Sequence, residues 1–344
     1  MNILSLFDGV SCAYVALERA GIKVDKYYSS EIEKNALKVS EKNYPNIIRL
    51  GSVVGLSPPL NIDLLIGGSP CQDLSIAKKD RKGLDGERSS LFWEFVRIKN
   101  EIKPKWFILE NVASMPKEAR DIITREIGVE PVMFNASLVS AQCRKRLFWT
   151  NIPFELPEDK GILLKDILEP DAEVDERMVV KGKSFCLTAS YNGAIESNSV
   201  ARKQRTMVLR GRDVILNDSP LQVLQEGRTE LGRQSRKEIK KNSGKDSTSR
   251  SSGHKAYFGK DGTKANCLTT ALGAEGLIVK QDRIRKLTPI ECERLQGLPD
   301  NYTEGIAMTN RYKCLGNAFN VDVVAHILKS VKRDNETNFG GLFR

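Results

Sequence analysis

The sequence predicts an α/β protein built on a doubly wound sheet, with a smaller, irregular and mostly β segment inserted late in the chain. Three observations predict it. Over residues 3–150, short apolar runs alternate with stretches of helical periodicity, and the turns between them carry Gly, Pro, Asp and Ser. After residue 155 the strands become short and irregular, and residues 225–255 turn polar and basic. From Arg285 the regular character returns. The expected division is therefore a sheet domain over 1–155 and 283–334, a second domain over 156–282, and a flexible tail over 335–344.

In chain order, residues 3–7 read as a first buried strand, and Asp8-Gly9-Val10-Ser11 as a turn. Ser11 is placed to cap a helix through Glu18 and Arg19, ended by Gly21. Strand, Gly-containing turn and helix N-terminus make a nucleotide-type cradle. Tyr27-Tyr28-Ser29-Ser30 reads as a second strand, closed by Glu31. An acidic residue about 20 positions past the turn suits ribose hydroxyls, although an ordinary βαβ turn with a surface Glu has the same pattern. Residues 33–43 read as a helix, and Ile47–Leu50 and Asp63–Ile66 as strands. The polar stretch 78–90 reads as a loop, and Leu91–Ile102 as a helix. Trp106–Leu109 is a strand running into Glu110-Asn111-Val112, followed by a helix over 117–127 and a strand over 131–139. Thr288 (N-cap), Pro289 (N1) and Glu291 (capping box) start a helix that stops at Gly297-Leu298-Pro299. Gly316-Asn317-Ala318-Phe319 leads into an apolar helix over 321–331.

Composition narrows the chemistry. The 344 residues are 40% hydrophobic and 28% charged, ordinary for a soluble globular chain. No apolar run approaches the roughly 20 residues of a membrane span, and the N-terminus lacks a signal-peptide pattern, so a cytoplasmic protein is expected. The seven cysteines are scattered without a Cys-x-x-Cys pair, which argues against a disulfide framework or structural zinc. His254 and His326 are the only histidines, so the inventory comes close to excluding a His-based metal centre or a Ser-His or Cys-His dyad. Net charge is +10, and residues 181–264 hold 18 Lys and Arg against 8 Asp and Glu. One segment thus carries the whole excess. That is the footprint of a nucleic-acid binder, or equally of a solvated loop.

The chemistry-bearing stretch is Gly67-Gly68-Ser69-Pro70-Cys71. It follows the Asp63–Ile66 strand, two glycines allow a sharp turn and a close backbone approach, and Pro70 fixes φ just before the thiol. Alone, Cys71 is equally a small buried hydrophobe. Its company is Phe7-Asp8-Gly9, Glu31 and Glu110, each at the end of a strand of the same sheet. A carboxyl group and a thiol would then face one another across a cofactor cleft.

Taken in order, Phe7-Asp8-Gly9, Glu31, Gly68-Ser69-Pro70-Cys71, Glu110-Asn111-Val112, Gln142-x-Arg144-x-Arg146, Arg294–Pro299 and Gly316-Asn317 resemble the motifs of the DNA (cytosine-5)-methyltransferases. The resemblance covers most of residues 3–150 and 283–331. The catalytic motifs are similar to the vertebrate de novo branch, and the long middle segment to bacterial or phage enzymes. Two departures stand out: Ser11, Cys12 and Ala13 occupy positions where the family often has further glycines, and Gly51-Ser52-Val53 lacks the usual Asp that reads adenine. A serine hydroxyl still accepts a hydrogen bond, without a carboxylate's charge.

The resemblance implies a Rossmann-like S-adenosylmethionine-dependent methyltransferase sheet and a target-recognition domain. It implies S-adenosyl-L-methionine held by Phe7, Asp8, Gly9, Val10, Glu31, Ile32, Ser52, Val53, Pro70, Leu91, Asn317 and Ala318. Cys71 would add to cytosine C6, Glu110 would protonate N3, and Arg146 would clamp O2 with Arg144 beside it. In isolation the two arginines equally suit a surface salt-bridge face, and Asn317 a helix N-cap. Double-stranded DNA would be the partner, contacted by Ser75, Arg81 and segment 181–264, with the loop 72–90 closing over the base. A monomer in the cytoplasm of a bacterial or phage-infected cell is expected, serving a restriction endonuclease partner or acting alone. The alternatives are a tRNA cytosine-5 methyltransferase and a non-catalytic DNA-binding paralogue. An exocyclic-amino methyltransferase is disfavoured, because Ser57-Pro58-Pro59-Leu60 lacks the aromatic residue that such motifs carry.

Overall fold

The computed structural model describes residues 1–70, 91–210, 225–228, 254–257 and 284–340. The chain divides into two compact units, Met1–Leu209 with Lys286–Arg344 and Arg210–Arg285. Among the described residues of the second unit, Gln225–Arg228 pairs antiparallel with His254–Tyr257.

A seven-stranded sheet organises the first unit. Its strands are β1 (Asn2–Leu6), β2 (Lys26–Ser30), β3 (Ile48–Arg49), β4 (Leu64–Gly68), β5 (Trp106–Val112), β6 (Val132–Asn135) and β7 (Lys145–Thr150), in the order β3-β2-β1-β4-β5-β7-β6. Strands β1 to β5 are parallel, and β7 runs antiparallel between β5 and β6. Successive strands step outward to β2 and β3 on one side of β1, and to β4 and β5 on the other. The crevice beyond the carboxyl ends of β1 and β4 is thus a topological switch point, where open α/β sheets hold ligands.

Strand alternation builds the core on both faces. Leu4, Leu6, Leu65, Phe107 and Leu109 cluster with Phe92, Phe95 and Ile98 of α3 (Phe92–Ile102) and with Ala119, Ile123 and Ile127 of α4 (Lys117–Ile127). Ile3, Leu64, Ile66 and Ile108 are buried on the other face. Helix α1 (Cys12–Ala20) packs against the long final helix, α8 (Val321–Gly340). Between them in sequence lie α2 (Lys34–Asn43), a short α5 (Glu196–Val200), α6 (Pro289–Leu295) and α7 (Met308–Asn317). The expected capping box holds at α6: Thr288 Oγ1 accepts from Glu291 N at 3.2 Å, and Glu291 Oε2 accepts from Thr288 N at 2.8 Å.

Several local expectations are corrected. Gly67 and Gly68 form no turn; both lie inside β4. Close approach is what demands them, since a Cβ on Gly67 would sit 3.0 Å from Leu6 O, and one on Gly68 would sit 2.7 Å from Phe319 Cε1 and 3.0 Å from Glu110 Oε2. Ser11 occupies the N-cap position of α1 but caps nothing. Its backbone is left-handed (φ 62°), and its hydroxyl is committed to Asp8 and Ser40 instead. Asn317 ends α7 rather than starting a helix; Asn320 is the cap, its Oδ1 accepting from Val323 N at 3.1 Å. The strand expected over 131–139 is only Val132–Asn135, followed by a 3₁₀ turn at Ala136–Leu138. Helix α8 continues through residues 335–340, read from composition as tail.

Candidate active site

A cleft of about 310 Å³ opens at the switch point. Its wall includes Phe7, Gly9, Val10, Glu31, Ile32, Ser52, Val53, Pro70, Leu91, Glu110, Arg144, Arg146, Asn317 and Ala318. Fourteen residues singled out in the sequence therefore converge on one cavity. Cys71, Ser75 and Arg81 lie outside the described residues, as does most of segment 181–264. Asp8 is near but not on the wall; it is buried behind the β1–α1 loop.

The β2 end supplies a fixed carboxylate. Glu31 Oε1 accepts from the backbone N–H of Ile32 (2.7 Å) and Glu33 (2.8 Å), and Oε2 accepts from Gly9 N at 2.8 Å. Beside it Ile32 is 70% exposed, an apolar side chain left open at the mouth of the cleft. Ser52 Oγ accepts from Val54 N at 3.1 Å, which rigidifies the turn after β3.

Strand register brings the polar pair together. Gly68 lies opposite Glu110, Glu110 opposite Phe148, and Val112 opposite Arg146. Glu110 and Arg146 thus share a face as diagonal neighbours, within reach of long side chains. Arg146 Nε lies 2.8 Å from Glu110 Oε1, with side chains 17% and 13% exposed. The next residue, Asn111, is buried and donates from Nδ2 to Ser69 Oγ (3.1 Å) and Ser69 O (3.3 Å). It tethers the backbone two residues ahead of Cys71.

Arg144 lines the same cleft and holds backbone carbonyl groups. Its guanidinium is buried, donating to Leu187 O (2.8 Å), Gly316 O (3.1 Å) and Ala318 O (2.9 Å), and Nη1 lies 3.5 Å from Cys186 Sγ. Burial, with Arg146 nearby, lowers its pKa from the ordinary arginine value. Gln142 works alongside: its Nε2 donates to Leu295 O, and its Oε1 accepts from Leu187 N. These two buried side chains fasten residues 187, 295, 316 and 318, far apart in sequence, around the cleft. Charge and spacing alone carry no signal of such a carbonyl-holding role.

Glu33, Lys313 and Cys314 stand on the same wall without any motif in the sequence to mark them. Glu33 caps α2 through Oε2 to Ala36 N at 2.9 Å and lies 3.8 Å from Lys313 Nζ. Burial, followed by the Glu33 charge, pushes the Cys314 thiol up to about 12, so it stays protonated at neutral pH.

Gly316 marks where two segments touch. A Cβ there would overlap the backbone at Ala189 N and Thr188 C. Backbone cannot step aside as a side chain does. Gly316→Ala is expected to cost about 3 kcal/mol, the upper part of the overpacking range, and thermal denaturation measures it. A variant melting within about 2 °C of the parent would show that the two segments do not pack this way.

A sequence profile of the family described as C-5 cytosine-specific DNA methylase matches residues 1–333. The chain belongs to the C-5 cytosine-specific DNA methylase family. Its relatives include the type II methyltransferase M.HhaI of Haemophilus parahaemolyticus, 24% identical over 358 residues spanning 96% of this chain and 94% of that one. M.Sau3AI of Staphylococcus aureus is 27% identical over 328 residues, spanning 80% of this chain and 79% of the relative. Among solved structures, Entamoeba histolytica methyltransferase EhMeth superposes with a TM-score of 0.60 at 14% identity, covering 97% of this chain and 98% of that one. The S. pombe Dnmt2 methyltransferase gives 0.57 at 16%, covering 97% and 99%. At such identities these neighbours establish the Rossmann-like methyltransferase fold. As a C-5 cytosine-specific DNA methylase the protein is a DNA (cytosine-5-)-methyltransferase, for which the family implies S-adenosylmethionine as methyl donor. Among the described residues, no helix is long and apolar enough to cross a membrane.

Proposed function

We propose that this methylase acts on a flipped-out cytosine at a defined sequence in duplex DNA, through a transient bond between Cys71 Sγ and C6 of the base. The observation that carries the reading is the Glu110–Arg146 pair in the same cleft as the Glu31 carboxylate, beside the strand that leads to Cys71.

The wall residues fit the cofactor. Glu31 Oε2 receives one backbone N–H, which leaves acceptor capacity for a ribose hydroxyl. Ile32 and Val53 offer apolar surface to an adenine, Ser52 Oγ keeps a lone pair for its amino group, and Asn317 and Ala318 line the far wall. Phe7, Gly9, Val10, Pro70 and Leu91 complete the enclosure. When bound, S-adenosylmethionine supplies a sulfonium methyl to a C5 made nucleophilic.

The protein's own groups create that nucleophile. A thiol of ordinary pKa is only about 3% ionised at pH 7, so attack needs loss of the thiol proton to solvent and, to make the ring a better acceptor, proton supply at N3. Glu110 is positioned to protonate N3 as charge develops, a general-acid role worth about 10²–10⁴-fold. Arg146 holds that carboxyl group and turns its planar guanidinium toward O2. Loss of the C5 proton to water, with return of the N3 proton to Glu110, then expels the Cys71 thiolate. Arg144 touches no base in this scheme; it positions the wall through three carbonyl oxygens. Arg144→Lys keeps the charge but not the fork, and is expected to lower stability by about 2–4 kcal/mol, read by denaturant titration. An unchanged midpoint would return Arg144 to the base.

A stacked cytosine is out of a thiol's reach, so flipping is required, at a few kcal/mol. Phosphate contacts from segment 181–264, with Ser75 and Arg81 near the base, are assigned to that task, and residues 156–282 to target recognition. The reading places the protein on DNA in a bacterial or phage-infected cytoplasm, as a monomer, with or without a restriction endonuclease partner. Bisulfite sequencing of DNA from expressing cells tests it, giving site and modified atom together. Methylation of tRNA in preference to duplex DNA would replace the substrate assignment.

A further inference from the structure

Behind the cofactor wall lies a polar cluster that the chemistry above does not use. The loop from Phe7 to Ser11 is left-handed at three positions, Phe7 (φ 56°), Gly9 (φ 59°) and Ser11 (φ 62°). Glycine takes this shape freely, but Phe and Ser do so at a cost and persist there only when the surroundings over-determine them. Here the surroundings include Tyr302, whose OH donates to Val10 O at 2.6 Å, and above all the Asp8 side chain. Asp8 is buried, and its Oδ2 accepts from Ser11 Oγ (2.7 Å) and Ser29 Oγ (3.0 Å), its Oδ1 from Tyr27 OH (2.6 Å). Its backbone adds two more ties: Asp8 N donates to Ser30 O at 3.2 Å, and Ser11 N to Asp8 O at 3.1 Å. Ser11 Oγ continues to Ser40 Oγ of α2 at 2.7 Å.

Tyr27, Ser29 and Ser30 all belong to β2, whose next residue is Glu31. The Asp8 carboxyl group therefore spans the β1–α1 loop and the strand that presents Glu31, while Gly9 N, one residue on, donates to Glu31 Oε2 at 2.8 Å. We propose that Asp8 is a positioning residue for cofactor binding, which holds the strained Phe7–Ser11 loop so that Gly9 fixes the Glu31 carboxylate without Asp8 itself touching the cleft. The inference rests on the cofactor assignment above and adds the device that pre-shapes it. Burial raises the Asp8 pKa, in keeping with a group isolated from solvent and bound to hydroxyls alone.

The expected signature follows from population arithmetic. If losing the tether leaves the loop competent about a tenth of the time, apparent affinity for S-adenosylmethionine falls about tenfold, while turnover at saturating cofactor is unchanged. The test measures S-adenosylmethionine affinity by calorimetry, and KM and kcat by methyl transfer to duplex DNA, for wild type, Asp8→Ala, Asp8→Asn and Glu31→Ala, with melting temperatures alongside. Supporting results are an Asp8→Ala KM for the cofactor raised about tenfold with kcat within about threefold, and partial rescue by Asn, which still accepts from the hydroxyls. Asp8→Ala combined with Glu31→Ala should weaken binding less than the product of the single effects, because both act through one carboxylate. A lower melting temperature with unchanged cofactor KM overturns the proposal, and so does full multiplicativity with Glu31→Ala. Should Asp8→Ala fail to fold, Asp8→Asn combined with Glu31→Ala provides the same comparison of affinities. Wild-type saturation by S-adenosylmethionine reads the cofactor assignment itself, and the ratios between variants read this one.

Discussion

Cys71→Ser is expected to abolish methylation, by at least about 10⁴-fold, while leaving S-adenosylmethionine and DNA binding intact. The magnitude follows from the reaction: an alkoxide is far harder to form than a thiolate at pH 7, and His254 and His326 are the only histidines that could activate a hydroxyl. In the proposed scheme the pyrimidine is polarised by addition at C6, a task for a soft, easily ionised atom at neutral pH. Incubation with an oligonucleotide containing 5-fluorocytosine is the direct measurement, because fluorine at C5 blocks the elimination that frees the enzyme. Wild-type protein should accumulate a DNA adduct whose mass maps to Cys71, and Cys71→Ser none. An adduct at another cysteine, or unimpaired methylation by the variant, would overturn the covalent scheme.

Glu110→Gln comes second, with an expected loss of about 10²–10⁴-fold in kcat and little change in cofactor KM. The amide keeps the size of the carboxyl group and can still meet Arg146, but it cannot deliver a proton to N3. Adduct formation should therefore slow in parallel with turnover. Removing the charge also leaves the Arg146 Nε, now 2.8 Å from Glu110 Oε1, facing a neutral group with both side chains mostly enclosed. Part of the loss is thus positional, and Arg146→Lys with Glu110 intact separates the two: it disturbs the pair while keeping the acid. A rapid-quench measurement in which Glu110→Gln forms the adduct at the wild-type rate would remove Glu110 from the proton-transfer step.

Much of this was legible in the residues. Apolar runs bounded by Gly and Asp gave the strand sequence up to β5, since strands buried on both faces need continuous apolar side chains. Thr288, Pro289 and Glu291 marked a helix start because their hydrogen bonds are local. Other features depended on partners distant in the chain. Gly67 and Gly68 look like turn residues in one dimension, but they are strand residues pressed against Leu6 O and Phe319. The buried contacts of Arg144 with the carbonyl groups of residues 187, 316 and 318 have no mark in its local sequence. Asp8 looks like a loop residue at the cofactor and instead stands behind the wall. In each case a deciding neighbour comes from a distant part of the chain, which local pattern cannot supply.

The wall formed by Asn317 and Ala318, and held by Arg144, has a consequence for the time order of synthesis. The ribosome delivers Cys71, Glu110 and Arg146 long before Asn317 and Ala318, which close one side of the cleft. A nascent or prematurely terminated chain thus carries the thiol and its acid but lacks one side of the chamber. A chain cut between residues 150 and 316 is therefore expected to bind S-adenosylmethionine poorly, whatever its thiol and carboxyl group could do.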